Sequence, residues 1–136
     1  MSIRLGVDVQ PVAEIDESLR LFGARYLGGV YDDHECNYAR AHPQTAALYL
    51  AGRFAAREAV SKLLEAPDVL VIWKDILLGE VQLSPKVLLR GEALNIAKKW
   101  GISEIFLSLA VSHDTVTAVA VADADADADA SSRRNR

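Results

Sequence analysis

Two carboxylates, Asp8 and Glu58, interrupt segments of the sequence that are otherwise apolar. Asp8 lies near the end of a short predicted strand, and Glu58 lies among alanines in the longest predicted helix. Because an unpaired buried carboxylate is costly, the two groups are expected to share a cation or to pair with basic side chains. Mg2+ takes one or two carboxylates together with waters and phosphates. The alternative is that Asp8 caps a turn and Glu58 pairs with Arg57 or Lys62 at the surface.

Three basic residues, Arg53, Arg57 and Lys62, lie on the same predicted helix as Glu58. At helical spacing they could form a solvated face, with Glu58 and Glu65 as partners. Beside two carboxylates they would instead suit a ligand that bears phosphates, since Arg and Lys neutralise phosphate oxygens. The sequence leaves both interpretations open.

His113, next to Asp114 in a predicted turn, could act as a general base or hydrogen-bond donor, or be an exposed turn residue. The sequence contains no P-loop, GxGxxG, CxxC, HExxH or GxSxG motif. The commonest signatures of nucleotide-binding proteins and hydrolases are therefore absent.

Composition limits the class of protein. The 136 residues suit one domain, and 51% of them are hydrophobic, which is enough for a core. A net charge of -4 argues against nucleic-acid binding, and the single Cys36 can form neither an internal disulfide nor a Cys-based zinc site. The sequence shows no run long enough to span a membrane and no leader pattern, so a cytoplasmic protein that does not bind membranes is expected.

The elements that position the candidate residues follow from hydrophobic spacing. Residues 3–9 alternate as a strand that ends at Pro11, and residues 12–26 have the spacing of a helix broken at Gly28-Gly29. Acidic residues at 32–35 predict the start of another helix. The alanine-rich segment 43–64 is the longest predicted helix.

The second half of the chain alternates strands with one helix. Short apolar runs at 69–73, 76–78 and 87–89 are typical of strands, 91–100 predicts a helix stopped by Gly101, and 105–111 and 116–122 predict a hairpin. This order predicts an α+β fold, with a mostly antiparallel sheet packed against a long helix. We expect a single domain over 1–122, followed by an Ala-Asp-rich, solvated tail over 123–136.

Three motifs, in this order, resemble the holo-acyl-carrier-protein synthases, the small trimeric members of the 4'-phosphopantetheinyl transferase superfamily. They are Gly6-Val7-Asp8-Val9, the segment 50–62 (LAGRFAAREAVSK), and Ser112-His113-Asp114. Shorter similar segments lie between them, so the resemblance spans residues 3–122. It implies the fold of that superfamily.

The resemblance implies that the phosphopantetheine arm of coenzyme A is transferred to a serine of an apo acyl carrier protein, releasing 3',5'-ADP. Asp8 and Glu58 would hold Mg2+ against the pyrophosphate, and Lys62 would contact phosphate and assist the leaving group. Arg53 would approach the 3'-phosphate across a subunit boundary of a homotrimer. Pro85, Ser112 and His113 would complete the coenzyme A site.

The sequence departs from the family pattern at Pro11, Glu14, Ser108 and Ala110. Glu14, with Asp16 and Glu17, makes the first predicted helix acidic, where the family has a basic surface for an acidic carrier. A carrier from a specialised biosynthetic pathway is therefore expected. Two further hypotheses are a trimeric binding or scaffold protein that has lost transfer, and an enzyme of the same fold with other chemistry.

Overall fold

The computed structural model describes residues 2–125. Its elements are β1 (Ser2–Pro11), α1 (Val12–Phe22), α2 (Ala24–Val30), α3 (Asp33–Ala41), α4 (Ala46–Leu64), α5 (Val69–Ile72), a 3-10 turn (Trp73–Asp75), β2 (Ile76–Leu78), β3 (Val87–Leu89), α6 (Gly91–Trp100), β4 (Ile102–Ser112) and β5 (Thr115–Ala124). No helix in this part of the chain is long and apolar enough to cross a membrane.

The three long strands form one antiparallel sheet in the order β1-β5-β4. Alternate residues of these strands, such as Leu107, Leu109 and Ala118, are buried on the face that packs against α4. Most of α4 is buried, as expected of a central helix rich in alanine. Strands β2 and β3 pair as a separate two-stranded sheet. The α+β prediction, with an antiparallel sheet packed against a long helix, is confirmed.

The predicted helix over 12–26 is two helices, α1 and α2, that meet at Gly23. Gly23 has φ of 53°, a conformation that favours glycine, and its N–H bonds to the Leu19 carbonyl at 2.8 Å. Gly28 and Gly29 stay helical, so the prediction that they break the helix is wrong. Sequence spacing alone does not show which glycine adopts the left-handed conformation.

The prediction of a strand over 69–73 is also wrong, because this segment forms α5 and the start of a 3-10 turn. The Asp68 side chain accepts a hydrogen bond from the Leu70 N–H and caps the helix. Trp73 donates its indole N–H to the Val30 carbonyl at 2.8 Å, which ties the turn to α2. The cap and this long-range bond outweigh the β propensity of the valines.

The remaining boundaries agree closely with the sequence. Asp32 and Glu35 form a reciprocal capping box at the start of α3, α6 ends at Gly101, and β4 and β5 form the predicted hairpin. Strand β5 continues to Ala124, which pairs with Ser2, so the first two residues of the predicted tail lie in the sheet. Asp125 follows the strand and donates its N–H to the Gly101 carbonyl, and residues 126–136 of the predicted tail lie outside the described residues.

Candidate active site

The site begins where β1 crosses α4 at very short range. A Cβ atom placed on Gly6 would lie 1.9 Å from the Ala59 carbonyl oxygen and 2.8 Å from the Leu63 nitrogen. Only glycine therefore allows the two backbones to approach this closely. The approach brings Asp8, two residues further along β1, to the segment of α4 that carries Glu58 and Lys62.

Lys62 joins the strand to the helix. Its Nζ donates hydrogen bonds to Asp8 Oδ1 and to the Val7 carbonyl oxygen, each at 3.0 Å. The Lys62 side chain is 52% exposed and that of Asp8 is 14% exposed. One side of this ion pair is therefore open to solvent and to a ligand.

Glu58 lies one helical turn before Lys62 and is half-buried. Within residues 2–125 its carboxylate forms no ion pair, since Lys62 bonds to Asp8 and Arg57 bonds elsewhere. Burial and the negative charge of Asp8 raise the pKa of Glu58, and the positive charge of Lys62 opposes the shift. Asp8, Glu58 and Lys62, called the open cluster below, thus carry two negative charges against one positive charge.

The open cluster has the donor chemistry of a magnesium site. Mg2+ prefers oxygen ligands and is usually held by one or two carboxylates, with waters and substrate phosphates as the other ligands. Within residues 2–125 no group of three or more His, Cys, Asp or Glu side chains could hold a metal ion. Two carboxylates with a surplus negative charge fit a metal that also needs a phosphate-bearing ligand.

A second charged cluster lies on another side of α4 and is mostly buried: the side chain of Asp32 is 34% exposed, and those of the other members are 3% exposed or less. Glu35 of α3 is 0% exposed; Arg53 and Arg57 donate hydrogen bonds to it, and Asp32 lies 3.6 Å from Arg57. Burial raises the pKa of Glu35, but hydrogen bonds and charges from Arg57 and Arg53 outweigh it, so the net pKa is lowered. We call Asp32, Glu35, Arg53 and Arg57 the buried cluster.

The buried cluster corrects one interpretation of the two arginines. Arg53 and Arg57 are not a solvated face, because each is 2% exposed. Arg53 also donates to the carbonyl oxygens of Gly79 and Leu78, so all three of its guanidinium nitrogens are engaged inside the protomer. The role on a 3'-phosphate across a subunit boundary, which the resemblance implies for Arg53, stays a prediction.

The sequence did not predict that Glu35 is the partner of Arg53 and Arg57. The place of Glu35 among the acidic residues at 32–35 predicted a helix start, and the structure adds a capping box with Asp32. The carboxylate also reaches two arginines 18 and 22 residues away. One sequence feature could have indicated this partner. Arg53 and Arg57 are four residues apart on a helix that is predicted to be central, and two buried arginines need an acidic partner.

The other predicted site residues lie apart from the open cluster. Ser112 and His113 are exposed in the β4–β5 hairpin, where the Asp114 carbonyl accepts the Val12 N–H at 2.8 Å. His113 adopts φ of 55°, which fits a tight turn. Pro85 is buried in the loop before β3, and that loop bonds to β4 through the Leu83 carbonyl. Within one protomer these residues do not join Asp8 and Glu58.

Known proteins share this arrangement of elements. The sequence pattern of the 4'-phosphopantetheinyl transferase superfamily matches residues 4–120. A holo-[acyl-carrier-protein] synthase of Natranaerobius thermophilus is 37% identical over 121 residues, covering 87% of this chain and 94% of that protein. One from Halothermothrix orenii is 34% identical, covering 81% and 86%.

Two solved structures are similar over nearly their whole length. An ACPS–CoA complex from Chronobacterium ammoniagenes has a TM-score of 0.76 and 25% identity, covering 92% of this chain and 99% of that one. The holo-[acyl-carrier-protein] synthase of Neisseria meningitidis has a TM-score of 0.71 and 27% identity, covering 88% and 97%. The chain therefore belongs to the holo-acyl-carrier-protein synthase family of enzymes, within the 4'-phosphopantetheinyl transferase superfamily.

Proposed function

We propose that the protein transfers the 4'-phosphopantetheine arm of coenzyme A to a serine of an apo acyl carrier protein, with Mg2+, and releases 3',5'-ADP. The open cluster carries this proposal: two carboxylates and a lysine from β1 and α4 meet at a solvent-accessible position with one surplus negative charge. The relatives are named as holo-[acyl-carrier-protein] synthases, and one neighbour is a CoA complex.

The reaction forms one bond and breaks one. The serine oxygen attacks the phosphorus that bears the pantetheine arm, and the bond between that phosphorus and the bridging oxygen of the pyrophosphate breaks. The bridging oxygen leaves with the electron pair as part of 3',5'-ADP. The serine proton passes to a carboxylate oxygen of the open cluster.

The residues of the open cluster have separate roles in this scheme. Asp8 and Glu58 would hold Mg2+, which when bound supplies positive charge against the pyrophosphate. Lys62, whose Nζ lies 3.0 Å from Asp8 Oδ1, would stabilise the charge that develops on the leaving oxygen. Catalysis by this cluster is therefore mainly positioning and charge neutralisation.

The test is to incubate the protein with Mg2+, coenzyme A and a panel of apo carrier proteins, and to measure the intact mass of each carrier. We expect at least one carrier to gain the mass of the phosphopantetheine arm. Lys62→Gln should slow the gain strongly, whereas Lys99→Gln, an exposed lysine on α6, should not. No mass gain with any carrier, in a protein that binds coenzyme A, would favour the scaffold hypothesis.

For the carrier, we infer a docking surface on α1 that suits a partner less acidic than an ordinary acyl carrier protein. Glu14, Asp16 and Glu17 are exposed on this helix. The neighbouring Leu21 and Phe22 are also exposed, at 60% and 57%, which is unusual for large apolar side chains unless a partner covers them. An acidic surface of this kind would repel an acidic recognition helix.

We also propose that the protein is a homotrimer. The face of the sheet opposite α4 is apolar and open: Ile3, Leu5, Val7 and Val9 of β1 are 57%, 61%, 47% and 56% exposed, and Phe106 of β4 is 60% exposed. The register sets Leu5 and Phe106 on either side of Val121, and Val7 against Val119, so these side chains form one patch. A contiguous apolar patch of this kind is typical of subunit interfaces.

Light scattering tests the oligomeric state. We expect a trimer for the unmodified protein and a smaller species for Leu5→Asp, because the new charge would be desolvated in the interface. Leu88→Asp is the matched control, since Leu88 is 63% exposed on β3, outside the patch. A monomer at micromolar concentration for the unmodified protein would contradict the proposal.

A further inference from the structure

The C-terminal turn of α4 carries Lys62 and needs hydrogen-bond donors from outside the helix. The last four carbonyl groups of a helix have no N–H partner within it. In α4 these are the carbonyls of residues 61–64. The N–H groups of Ala66 and Glu65 bond to the first two of them, at 3.2 and 3.1 Å. The other two carbonyls depend on side chains from β1 and α6.

Arg4 of β1 and Trp100 of α6, called the capping pair below, supply these donors. The Arg4 guanidinium donates twice to the Leu63 carbonyl oxygen, from Nε at 3.0 Å and from Nη2 at 2.9 Å. The Trp100 indole N–H donates to the Leu64 carbonyl at 3.1 Å. The Arg4 guanidinium also lies over the Trp100 ring, 3.6 Å from its centroid, in a cation–π contact. Each member of the capping pair therefore fixes the other.

The charge of Arg4 suits its place at the end of α4. The C-terminal end of a helix carries partial negative charge, which a nearby guanidinium stabilises. The Arg4 side chain is 15% exposed, and its Nη2 lies 3.4 Å from Glu65 Oε1. Because these contacts take up the guanidinium within the chain, we give Arg4 no contact with coenzyme A.

Arg4 also lies on the same face of β1 as Asp8. Positions 4, 6 and 8 share one face because successive strand residues alternate, and this face is turned to α4 at the close approach of Gly6. Before Gly6, Arg4 bonds to the carbonyl of Leu63. After Gly6, Asp8 accepts a hydrogen bond from Lys62 at 3.0 Å. Polar contacts on both sides of Gly6 therefore join the strand to the last turn of the helix.

We propose that Arg4 is a positioning residue for the transfer reaction: by capping the last turn of α4, it keeps the Lys62 ammonium group beside Asp8. The inference rests on the proposed function, which gives Lys62 a role at the leaving oxygen. The end of a helix opens more readily than its middle, so an uncapped last turn would carry Lys62 away from Asp8. A displacement of about 1 Å in a reacting group slows a reaction by up to about 100-fold.

Three variants test this role. Arg4→Met removes the donors and the charge and keeps an unbranched side chain that packs on Trp100. Arg4→Lys keeps the charge and a donor for the carbonyl. Arg90→Met is the matched control, because Arg90 Nη2 donates to the Lys74 carbonyl at 3.1 Å and Arg90 Nε lies 3.6 Å from Asp75 Oδ1. The same kinds of contact are lost there, outside the C-terminal turn of α4.

The first measurement locates the Lys62 side chain without using the reaction. Formaldehyde and a borane reductant methylate lysine amines, and peptide mass spectrometry gives the rate at each lysine. In Arg4→Met, Lys62 should be methylated at least about threefold faster relative to the exposed Lys99, because its ammonium group loses hydrogen bonds to β1. Arg4→Lys and Arg90→Met should stay within about twofold of the unmodified protein.

The second measurement is the rate of transfer to an apo carrier protein, alone and in a double-mutant cycle. Arg4→Met should lower kcat at least about tenfold and leave the KM for coenzyme A unchanged, because Lys62 acts on charge that develops during the reaction. In a Lys62→Gln background, Arg4→Met should lower kcat by less than about twofold. A loss of folded protein would instead lower the rate by the same factor in both backgrounds. Arg4→Lys should recover most of kcat.

Three results would overturn the inference. Unchanged methylation of Lys62 in Arg4→Met would show that Lys62 keeps its position without the cap. Equal losses of kcat with and without Lys62 would show that Arg4 acts on folding alone. Equal effects of Arg4→Met and Arg90→Met would show that the end of α4 has no special role.

A milder variant covers the case in which Arg4→Met does not fold. Trp100→Phe keeps an aromatic ring under the Arg4 guanidinium and removes the donor to the Leu64 carbonyl. It should raise the methylation rate of Lys62 and lower kcat, each by less than is expected for Arg4→Met. Unchanged methylation and unchanged kcat in Trp100→Phe would then overturn the inference.

The two measurements separate this inference from the proposed function. If Lys62 is methylated faster in Arg4→Met but no carrier gains mass with the unmodified protein, the positioning of Lys62 by Arg4 stands and the transferase assignment fails. If carriers gain mass and Arg4→Met keeps full kcat, the transferase assignment stands and the role of Arg4 fails.

Discussion

Helix α4 carries two charged clusters that differ in how their charges are balanced. The buried cluster contains two arginines and two carboxylates, so its charges cancel within the chain. The open cluster contains two carboxylates and one lysine, so a negative charge remains. Both clusters use side chains spaced four residues apart on the helix, at 53 and 57 and at 58 and 62, and the two stripes lie about 140° apart around its axis.

We propose that this difference separates residues that stabilise the fold from residues that bind a ligand. In the buried cluster each guanidinium also bonds to a backbone carbonyl, so both arginines are held within the chain. In the open cluster the Lys62 ammonium and the Glu58 carboxylate face solvent in part, and the surplus charge needs a cation. Charge balance therefore identifies the site better than the mere presence of arginines or carboxylates does.

The comparison is tested most strongly by removing one carboxylate of the open cluster. We expect Asp8→Ala or Glu58→Ala to slow transfer by about 100- to 1000-fold, because each removes a charge that serves the reaction. The free energy of unfolding should change by less than about 1 kcal/mol, since the Lys62 partner is half exposed and solvated. Transfer rates and urea unfolding measure the two effects. Full activity in either variant would contradict the metal assignment.

The opposite pattern is expected in the buried cluster. Glu35→Gln removes the negative charge that two buried guanidinium groups share, so the free energy of unfolding should fall by about 3 to 5 kcal/mol. Urea unfolding at neutral pH measures this loss. Where Glu35→Gln remains folded, its rate of transfer should fall less than that of Glu58→Ala. A fall of less than about 1 kcal/mol in the free energy of unfolding would show that Arg53 and Arg57 do not need Glu35 to stay buried.

The free energy of unfolding should depend on pH below 4.5, and the lowered pKa of Glu35 fixes the direction of this smaller effect. The folded pKa of Glu35 is below its ordinary value of 4.5, so its contribution is complete above pH 4.5 and is lost as the pH falls through the folded pKa. Glu35→Gln should therefore show a shallower loss of stability below pH 4.5 than the unmodified protein. Glu104→Gln, the same change at an exposed position on β4, should keep the original slope. Identical slopes in all three proteins would contradict the Glu35 assignment.

The smallest expected effect lies on the surface, away from both clusters. Glu14→Arg on α1 should raise the affinity for an ordinary apo carrier protein by about two- to fivefold at low salt, through an exposed and screened contact. Coenzyme A affinity should stay the same, and the gain should shrink as salt rises. Glu92→Arg on α6 makes the same change in net charge and should have no effect. An unchanged carrier affinity for Glu14→Arg at low salt would show that docking uses another surface.

Sequence periodicity predicted the elements that depend on local spacing. The long helix, the antiparallel strands and the hairpin all follow from apolar residues at helical or alternating positions. The predictions were wrong where a single glycine or a single long-range hydrogen bond determined the secondary structure. Gly23 rather than Gly28 broke the first helix, and the Trp73 bond to Val30 held a valine-rich segment as a helix.

The same division applies to the candidate site. Asp8 and Glu58 could be selected from the sequence because each is a carboxylate in an apolar element, and neither choice needs tertiary information. The partners of Arg53 and Arg57 could not be selected in this way, because Glu35 lies 18 and 22 residues away and the helix start predicted at 32–35 already accounted for its charge. Long-range charge pairing needs the packing of α3 against α4.

The most direct test of the account is the effect of Mg2+ on coenzyme A binding, measured by calorimetry in the unmodified protein and in Glu58→Gln. Removing the charge while keeping the shape of the side chain isolates the role of the open cluster. We predict that Mg2+ raises the affinity of the unmodified protein at least about tenfold, or about 1.4 kcal/mol, and that of Glu58→Gln less than about twofold. An equal response to Mg2+ in both proteins, or no response in the unmodified protein, would contradict the central claim that the surplus charge of the open cluster holds the metal for transfer.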